Sequence, residues 1–445
     1  MRTRKSRLGA IVAVVATASL ITTGCGSGGD GKTSDGKTVV TFWQQQFEDY
    51  QQAWFKKQIE AFNASQGKTK VQVQVVPADT WAQKLKAAQA AGNAPDIATT
   101  SYGNIPAGAA NGELAELDGL LPAEAFADVK DNVRNLITIK GKHYGYPMLV
   151  EPSTVLYYRT DLVTAAGLDP TKPPTSWAEL QTWATKLTQG NVKGMTIASA
   201  APDLGWSSWG LQYNACGKLP VADDWSKSTA TEPCFERLVN FYRDLYQSGA
   251  MPKQPKSGYA DGSPYGQGEV AMMAGGSWVV GQLKNEFAAM IPKTAVAPFP
   301  SIDGDPTKTT ATLGGWTLTI DAKSKAKEQA ASFIKWLLAG DPAVMTDFFK
   351  ASGFSKYTVR TSVDTALGGV AEANSDPFMK IISSKVIPYG RAEPAYPWDI
   401  SLAFGTAIES GMKGSTDVAS ALKKADAAIN DVIKKQSLAG TAPTR

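Results

Sequence analysis

The hydrophobic pattern of residues 38–101 alternates between the period of a β-strand and that of an α-helix. Three segments have the pattern of strands: TVVTFW (38–43), KVQVQVVP (70–77) and residues 97–100. Between them, residues 47–65 and 80–91 have the period of helices, and Asp79 is placed to cap the second. The apolar face of the first helix consists of Trp54, Phe55, Ile59 and Phe62. Three strands joined by two crossover helices predict a parallel, right-handed sheet.

A second region of strands and helices is predicted after residue 144. Two strand-like segments meet at Glu151-Pro152-Ser153, where proline interrupts an apolar run. Further helices are predicted at 176–189, 234–248, 277–287, 325–338 and 416–435, and further strands at 270–273 and 314–320. No single linker divides the chain, so we expect two α/β lobes connected by more than one crossing. Residues 151–153 and 298–305 are the candidate hinges.

The first 37 residues have the pattern of an export signal followed by a tether. Four basic residues precede the uncharged, mostly aliphatic run 8–21, which is too short to span a bilayer. Cys25 then precedes a Gly/Ser/Asp/Lys-rich segment and resembles the lipidated cysteine of bacterial lipoproteins, although Thr22 stands where that pattern usually has an aliphatic residue. We expect a signal peptide at 1–24, a lipidated Cys25 and a flexible tether up to residue 37, which would anchor the protein to the outer face of the bacterial membrane. Simple cleavage and secretion is the alternative.

Charge and composition exclude several functions. Without residues 1–24 the chain loses four of its 45 Lys and Arg and none of its 41 Asp and Glu, which leaves a balanced charge and no basic field for nucleic acid. His143 is the only histidine, so a His/Cys zinc site or a Ser-His-Asp triad lacks its usual residues. No Walker-type phosphate loop is present. We expect no metal and no cofactor.

Two of the three cysteines are expected to pair. Cys216 and Cys234 are eighteen residues apart around a polar, proline-containing segment, which is a natural loop to close in an oxidising compartment. An exported protein favours an even number of bonded cysteines, and this pairing leaves Cys25 as the third.

Several short motifs occur in an order typical of one family. They are TFW, APDI, NGELAELDGLLP, YGYP, TVLYYRTDL, GEVAMMAGGSW, LGGWTLTI and KEQAASFIKWLL. Together they resemble the extracellular solute-binding proteins of ABC importers, family 1, the group that contains maltose-binding protein. The resemblance implies two lobes, each a doubly wound sheet flanked by helices, that close on a ligand held in the cleft between them. It also implies a monomer whose partners are the ligand and the transmembrane permease subunits. The expected lobes are residues 38–150 with 303–350, and residues 151–302 with 351–438.

The candidate ligand-binding residues combine aromatic rings with planar polar groups. The C–H faces of a sugar stack on rings, and its hydroxyls pair with polar side chains. The candidates at strand ends and loop tips are Trp43, Gln44, Tyr102, Asn104, Glu151, Asp203, Trp206, Trp278, Gly315, Trp316, Arg391, Tyr396 and Trp398. By the resemblance, Trp278 matches a stacking tryptophan and Glu151 a ligand-binding carboxylate.

Three of these candidates have structural alternatives. Trp43 packs under the first helix in the alternative interpretation, Glu151 is a solvated loop residue, and Trp398 caps the last helical layer. Trp54, Trp183 and Trp336 lie within helical patterns and are expected in the core.

The expected function is binding of a neutral mono- or oligosaccharide without chemical change. An exported glycoside hydrolase is one alternative, because such an enzyme needs two carboxylates at a set separation and Glu151, Asp203 and Glu393 could in principle pair across a cleft, although nothing in the sequence shows that they do. The same fold binding another solute, such as a polyol phosphate or an oligopeptide, is the other. Arg391 is the only obvious cation among the candidate tips, which favours a neutral ligand. Replacing Trp278 with alanine is expected to abolish ligand-induced stabilisation and to leave unliganded melting nearly unchanged.

Overall fold

A computed structural model describes residues 32–78 and 80–442 of the chain. The predicted signal peptide, the lipidation site Cys25 and the helix cap Asp79 lie outside the described residues. Twelve strands are formed by the described residues: β1 Thr38–Gln45, β2 Thr69–Val76, β3 Ile97–Ser101, β4 Thr138–Ile139, β5 Lys142–His143, β6 Tyr146–Pro152, β7 Val155–Arg159, β8 Lys193–Thr196, β9 Val270–Gly275, β10 Thr294–Ala297, β11 Thr312–Ile320 and β12 Arg391–Ala392.

The helices cover both faces of the sheets and connect their strands. In chain order they are α1 Asp49–Ser65, α2 Trp81–Ala91, α3 Ile105–Ala110, α4 Ala123–Ala127, α5 Asp131–Ile137, α6 Thr160–Ala165, α7 Trp177–Leu187, α8 Ala201–Ser207, α9 Trp209–Cys216, α10 Pro233–Gln247, α11 Ser263–Gly266, α12 Trp278–Glu286, α13 Lys327–Ile334, α14 Pro342–Ala351, α15 Thr361–Gly368, α16 Ala371–Ser375, α17 Pro377–Lys385, α18 Trp398–Lys413 and α19 Val418–Lys435. Within the described part of the chain, none of them is long and apolar enough to cross a membrane.

Two sheets form the centres of two lobes. The first has the order β12-β11-β3-β1-β2 with β6 also paired to β11, and the second has the order β10-β7-β9-β8. Strands β2, β1 and β3 are parallel, as the sequence predicts. Strand β11 is antiparallel to β3 and β6, and β7 is antiparallel to both of its neighbours, so neither sheet is wholly parallel. Strand β11 comes from the second sheet and enters the first one at the carboxyl end of β3, where Trp316 pairs with Ser101. It therefore runs in the direction opposite to β3.

The chain passes between the sheets more than once. Strand β6 belongs to the first sheet and β7 to the second, so the chain crosses at residues 152–155, and it returns between β10 and β11. These crossings coincide with the two candidate hinges. A further segment, 352–357, follows α14 and pairs with the first sheet through a bridge between Tyr357 and Val150. Because α14 before this segment and residues 359–367 after it both pack into the first core, the segment is not a crossing, and we name residues 352–357 the post-α14 segment.

Each sheet has its own hydrophobic core. The first core contains Phe42, Phe55 and Phe333, and the second contains Tyr157, Phe235 and Phe404. Residues 359–367 pack into the first core, whereas 378–438 pack into the second. The division between the lobes that we infer from this packing therefore falls later in the chain than residue 351.

Most of the elements predicted from periodicity are present. Helix α1 buries Trp54, Phe55, Ile59 and Phe62, as predicted. The predicted helix 325–338 is shorter, because α13 ends at Ile334 and a turn of π-helix follows at Lys335–Ala339. Helix α7 begins at a reciprocal capping box between Ser176 and Glu179.

The predicted disulfide joins Cys216 to Cys234, with Cα atoms 5.3 Å apart. It connects the end of α9 to the first turn of α10.

Candidate functional site

Three aromatic rings meet in the second lobe and form what we call the second-lobe ring cluster. Trp206 lies in α8, Trp278 begins α12, and Tyr259 lies in the loop before α11. The ring centroids of Trp206 and Tyr259 are 5.2 Å apart, those of Trp206 and Trp278 are 6.0 Å apart, and those of Tyr259 and Trp278 are 6.3 Å apart. Tyr259 was not singled out from the sequence, because GYADGSP has no periodic pattern.

Hydrogen bonds fix the orientation of these rings. The Trp278 indole donates to the Ala260 carbonyl at 2.9 Å, and the Tyr259 hydroxyl donates to the Ser153 carbonyl at 3.0 Å. Asp203 accepts from the backbone N–H of Tyr259 at 2.8 Å, so its carboxylate positions the loop that carries the ring. The cluster is thereby tied to the first crossing at Ser153.

The rings differ in exposure, and this changes the expectation for Trp278. Trp278 is 6% exposed and Tyr259 5%, whereas Trp206 is half-buried. Truncating a buried aromatic side chain to alanine costs about 3–5 kcal/mol. We therefore expect Trp278→Ala to destabilise the unliganded protein, which differs from the expectation drawn from the sequence, and Trp206 is the most exposed of the three rings.

A second group of indoles lies on the first sheet, beside α2. Trp43, at the end of β1, and Trp316, in β11, are half-buried and pack against the cluster that contains Trp81 of α2. We name these three residues the first-lobe ring cluster. The Lys84 ammonium lies 5.3 Å from the centre of the Trp43 ring, within cation–π distance. Trp43 therefore packs against α2 and not under α1.

Gly315 allows β11 to approach β6 closely beside this cluster. Its φ of 150° is one that residues with a side chain rarely adopt, and a Cβ there would overlap the Leu149 carbonyl.

Glu151 belongs to a buried group of charges at the first crossing. Its Oε2 atom lies 2.7 Å from Nζ of Lys356, and the two side chains are 10% and 1% exposed. Glu151 is therefore neither a solvated loop residue nor an isolated carboxylate. Lys356 lies in the post-α14 segment, in a stretch of sequence with no signal that indicates its role.

Glu48 acts on this ion pair, and Glu286 acts on Glu48. Burial, together with the charges of Glu151 and Glu286, raises the pKa of Glu48 to about 7, although Lys356 opposes the shift. Burial alone would lower the pKa of Lys356, but the carboxylates of Glu151 and Glu48 raise it above its ordinary value. We name Glu48, Glu151, Glu286 and Lys356 the carboxylate–lysine cluster.

Three other first-lobe candidates differ in burial and in their hydrogen bonds. The Tyr102 hydroxyl is buried and donates to the Leu149 carbonyl at 3.0 Å, and burial raises its pKa. Gln44 is 1% exposed, and the described part of the chain offers its Nε2 no acceptor. Asn104 is exposed.

The candidates of 391–398 lie on the segment that runs from β12 to the first residue of α18. Arg391 donates to the Gly217 carbonyl at 3.1 Å and lies 4.7 Å above the Tyr213 ring, beside the disulfide. Tyr396 is buried, with its ring centroid 6.5 Å from that of Trp225. Trp398 begins α18 and packs against α8 beside Gly205, the residue that precedes Trp206. Arg391 and Tyr396 are thus engaged by the second lobe itself.

No metal-binding group of three or more His, Cys, Asp or Glu side chains occurs in residues 32–78 and 80–442. His143 pairs with Asp118, its Nδ1 lying 2.9 Å from Oδ1.

Comparison with known proteins identifies a family. A family model described as bacterial extracellular solute-binding protein matches residues 57–380. A probable ABC transporter-binding protein of Deinococcus radiodurans is 27% identical over 292 residues, which cover 63% of this chain and 68% of the relative. The mannitol-binding protein of Pseudomonas aeruginosa is 26% identical over 236 residues, 51% of this chain and 52% of the relative. A maltooligosaccharide ABC transporter solute-binding lipoprotein of Streptococcus pneumoniae is 28% identical over 211 residues, 46% and 45% of the two chains. The match thus spans about half the length of the last two relatives.

Solved structures show the same fold over nearly the whole chain. An ABC transporter solute-binding protein of Thermotoga lettingae, bound with α-D-tagatose, has a TM-score of 0.76 at 25% identity and covers 89% of this chain and 99% of its own. The cyclic α-maltosyl-1,6-maltose-binding protein of Arthrobacter globiformis has a TM-score of 0.64 at 27% identity, covering 90% and 100%. By its sequence match and its fold, the chain belongs to the bacterial extracellular solute-binding protein family.

Proposed function

We propose that this protein is the receptor of an ABC importer for a neutral sugar or sugar alcohol, which it captures between its two lobes. The observation that carries the choice of ligand is the second-lobe ring cluster, where Trp206 presents a half-exposed indole face supported by Tyr259 and Trp278. A ring face in a polar cleft suits the C–H surface of a carbohydrate. The relatives that bind mannitol, tagatose and maltooligosaccharides support the same class.

The charges around the candidate site support a neutral ligand. Lys356 is paired with Glu151, Arg391 contacts Gly217 and Tyr213, and Lys86 pairs with Asp399 at 2.5 Å. These three cations already have partners, which favours a ligand without a phosphate group. The glycoside hydrolase alternative does not hold, because solute-binding proteins are transport receptors and not enzymes.

The proposal includes a closing movement and a location. Lobe closure would bring the two ring clusters together on the ligand, and the permease would recognise the closed form. The sequence around Cys25 favours a lipid anchor on the outer face of the membrane, with the protein as a monomer. The lobes would be divided between β6 and β7, between β10 and β11, and close to residue 370. At this last position the packing changes from the first core to the second.

A thermal-shift screen of the mature protein with mono-, di- and oligosaccharides and sugar alcohols tests the ligand class. A ligand that binds the native state raises the melting temperature by mass action. We expect one neutral carbohydrate to do so and its phosphorylated form not to. Trp206→Ala should remove most of the shift and change unliganded melting little, because Trp206 is only half-buried.

Trp336→Ala is the matched control. Trp336 is also half-buried, but it packs in the first core, with its ring centroid 6.0 Å from that of Phe62. Its loss should change unliganded melting about as much as Trp206→Ala does and leave the ligand-induced shift intact. The proposal fails if no carbohydrate stabilises the protein, or if Trp206→Ala keeps the full shift.

A further inference from the structure

The first crossing, residues 152–155, and the start of β11 are bonded to each other through Ser153 and Thr312. The Ser153 N–H donates to the Thr312 carbonyl at 2.8 Å, and both the N–H and the hydroxyl of Thr312 donate to the Ser153 hydroxyl oxygen at 3.0 Å. Both residues are buried. Because hydrogen bonds shielded from water are stronger than exposed ones, these bonds hold the two chain connections between the lobes in a fixed relation.

Tyr259 connects this bonded pair to the second-lobe ring cluster. Its hydroxyl donates to the Ser153 carbonyl at 3.0 Å and lies 3.4 Å from the Thr154 hydroxyl oxygen. At its other end, the Tyr259 N–H donates to Asp203 at 2.8 Å, on the helix that also carries Trp206. The Tyr259 ring meets the Trp206 indole nearly edge-on, at an angle of 80°. One residue thus spans the distance from the first crossing to the half-exposed indole.

The loop that carries Tyr259 is also held within the second lobe by other bonds. The Trp278 indole donates to the Ala260 carbonyl at 2.9 Å, and the Gly262 N–H donates to Oε1 of Gln282 at 2.7 Å. Trp278 and Gln282 both belong to α12. The loop therefore keeps its anchors in the second lobe without the tyrosine hydroxyl. That hydroxyl instead reaches the first crossing, so it sets the position of the ring cluster relative to the crossing.

We propose that Tyr259 is the positioning residue of the carbohydrate site: its ring supports the Trp206 indole, and its hydroxyl aligns that indole with the first crossing. The inference rests on the proposed function, since it concerns the site at which the ligand would bind. Tyr259 acts through Trp206 and not by touching the ligand, because its hydroxyl is buried and donates to the Ser153 carbonyl. A hydroxyl has one proton to donate, and this bond uses it.

Removing the hydroxyl should reduce affinity without removing a ligand contact. In Tyr259→Phe the ring keeps its packing, but the Ser153 carbonyl loses this donor, and the ring cluster can take other positions. A ligand then binds only the fraction of molecules in which Trp206 is aligned, and the apparent dissociation constant rises by the inverse of that fraction. One buried hydrogen bond typically changes such an equilibrium by about 5-fold.

Titration calorimetry and stopped-flow fluorescence with the carbohydrate found in the screen test the inference. Tyr259→Phe should raise the dissociation constant ~5-fold. The increase should come from slower association, since aligned molecules release the ligand as the wild type does. An unchanged dissociation constant overturns the inference. Faster dissociation with unchanged association also overturns it, because the hydroxyl would then contact the ligand directly.

Tyr146→Phe is the matched control. Tyr146 is buried in the first core, and its hydroxyl also donates to a backbone carbonyl, that of Ala125, at 2.9 Å. Loss of this hydroxyl should lower unliganded stability about as much as in Tyr259→Phe and leave the affinity unchanged. If both variants weaken binding equally, loss of stability and not alignment explains the result, and the inference is wrong.

A measurement without ligand separates this inference from the proposed function. If no carbohydrate binds, the proposed function fails, and fluorine NMR of protein labelled with 5-fluorotryptophan still decides the inference. Trp206→Phe identifies the signal of Trp206 among those of the 12 tryptophans. This signal should be single and sharp in the wild type and in Tyr146→Phe, and split or broadened by exchange in Tyr259→Phe. An equally sharp single signal in Tyr259→Phe would overturn the inference.

Discussion

At the scale of single residues, the ion pair between Lys356 and Glu151 is the most heavily buried charge in the cleft region. Their side chains are 1% and 10% exposed, with the charged atoms 2.7 Å apart. Removing one partner of such a pair leaves an uncompensated buried charge, which costs about 3–5 kcal/mol. We therefore expect Lys356→Met to lower the free energy of unfolding by about that amount. Urea unfolding monitored by circular dichroism measures it.

Lys57→Met is the control for this prediction. Lys57 pairs with Asp347 at 3.4 Å, but the two side chains are 68% and 50% exposed. Exposed pairs contribute about 0.2–1 kcal/mol, so this variant should unfold close to the wild type. A Lys356→Met protein that is equally unaffected would show that the buried pair contributes nothing.

The same pair shows what could be predicted at this scale. The position of Glu151 could be predicted from the sequence, because proline interrupts an apolar run beside it and marks the crossing between the sheets. Lys356 was not, because GFSKYT has no hydrophobic period, and its contact with Glu151 spans 205 positions of the chain. A long-range ion pair leaves no trace in local pattern. Side-chain burial is equally hidden, which is why the exposure of Trp206 and Trp278 could not be ranked.

At the scale of elements, the disulfide gives the clearest prediction. Cys216 ends α9 and Cys234 lies in the first turn of α10, at a sequence separation of 18. Closing a loop of this size restricts the unfolded chain and contributes about 3 kcal/mol. The double variant Cys216→Ser/Cys234→Ser should lose about that stability in urea unfolding.

Reductant provides the control for the disulfide. Dithiothreitol should bring the wild type down to the stability of the double variant and leave the double variant unchanged. Equal stability of the oxidised wild type and the double variant would contradict the prediction.

Elements with a strong period were predicted and weakly patterned ones were missed. Helices α1, α7, α10 and α19 were found because long amphipathic stretches bury one face. Strands β8 and β10 were missed because four residues carry too little pattern. Helix α18 was missed although it buries Ile400, Phe404 and Ile408 at helical spacing. There the aromatic residues of YGRAEPAYPWD suggested a loop, and the helix begins only at its single tryptophan, Trp398.

At the scale of the whole molecule, the number of lobes was predictable, but the direction of the later strands was not. The repeated alternation of strand and helix without a linker indicates two lobes connected by several crossings, and the two sheets confirm it. The antiparallel pairing of β11 depends on where the chain re-enters the first sheet, which only the fold decides. The family membership predicted from the order of short motifs is confirmed by the match over residues 57–380.

The contact between the lobes at Gly281 leads to the last prediction. A methyl group there would lie 2.5 Å from the Ser352 carbonyl and 2.8 Å from the Tyr50 hydroxyl, so α12 must move away from α1 and the post-α14 segment to accept it. Gly281→Ala should therefore weaken ligand binding and raise the radius of gyration in solution scattering. Alanine favours a helix over glycine by about 1 kcal/mol, so loss of α12 would not explain weaker binding. Gly368→Ala, in α15 with no atom within 4 Å of its added Cβ, should change neither quantity. If Gly281→Ala binds ligand as the wild type does, the lobes do not need this contact to close.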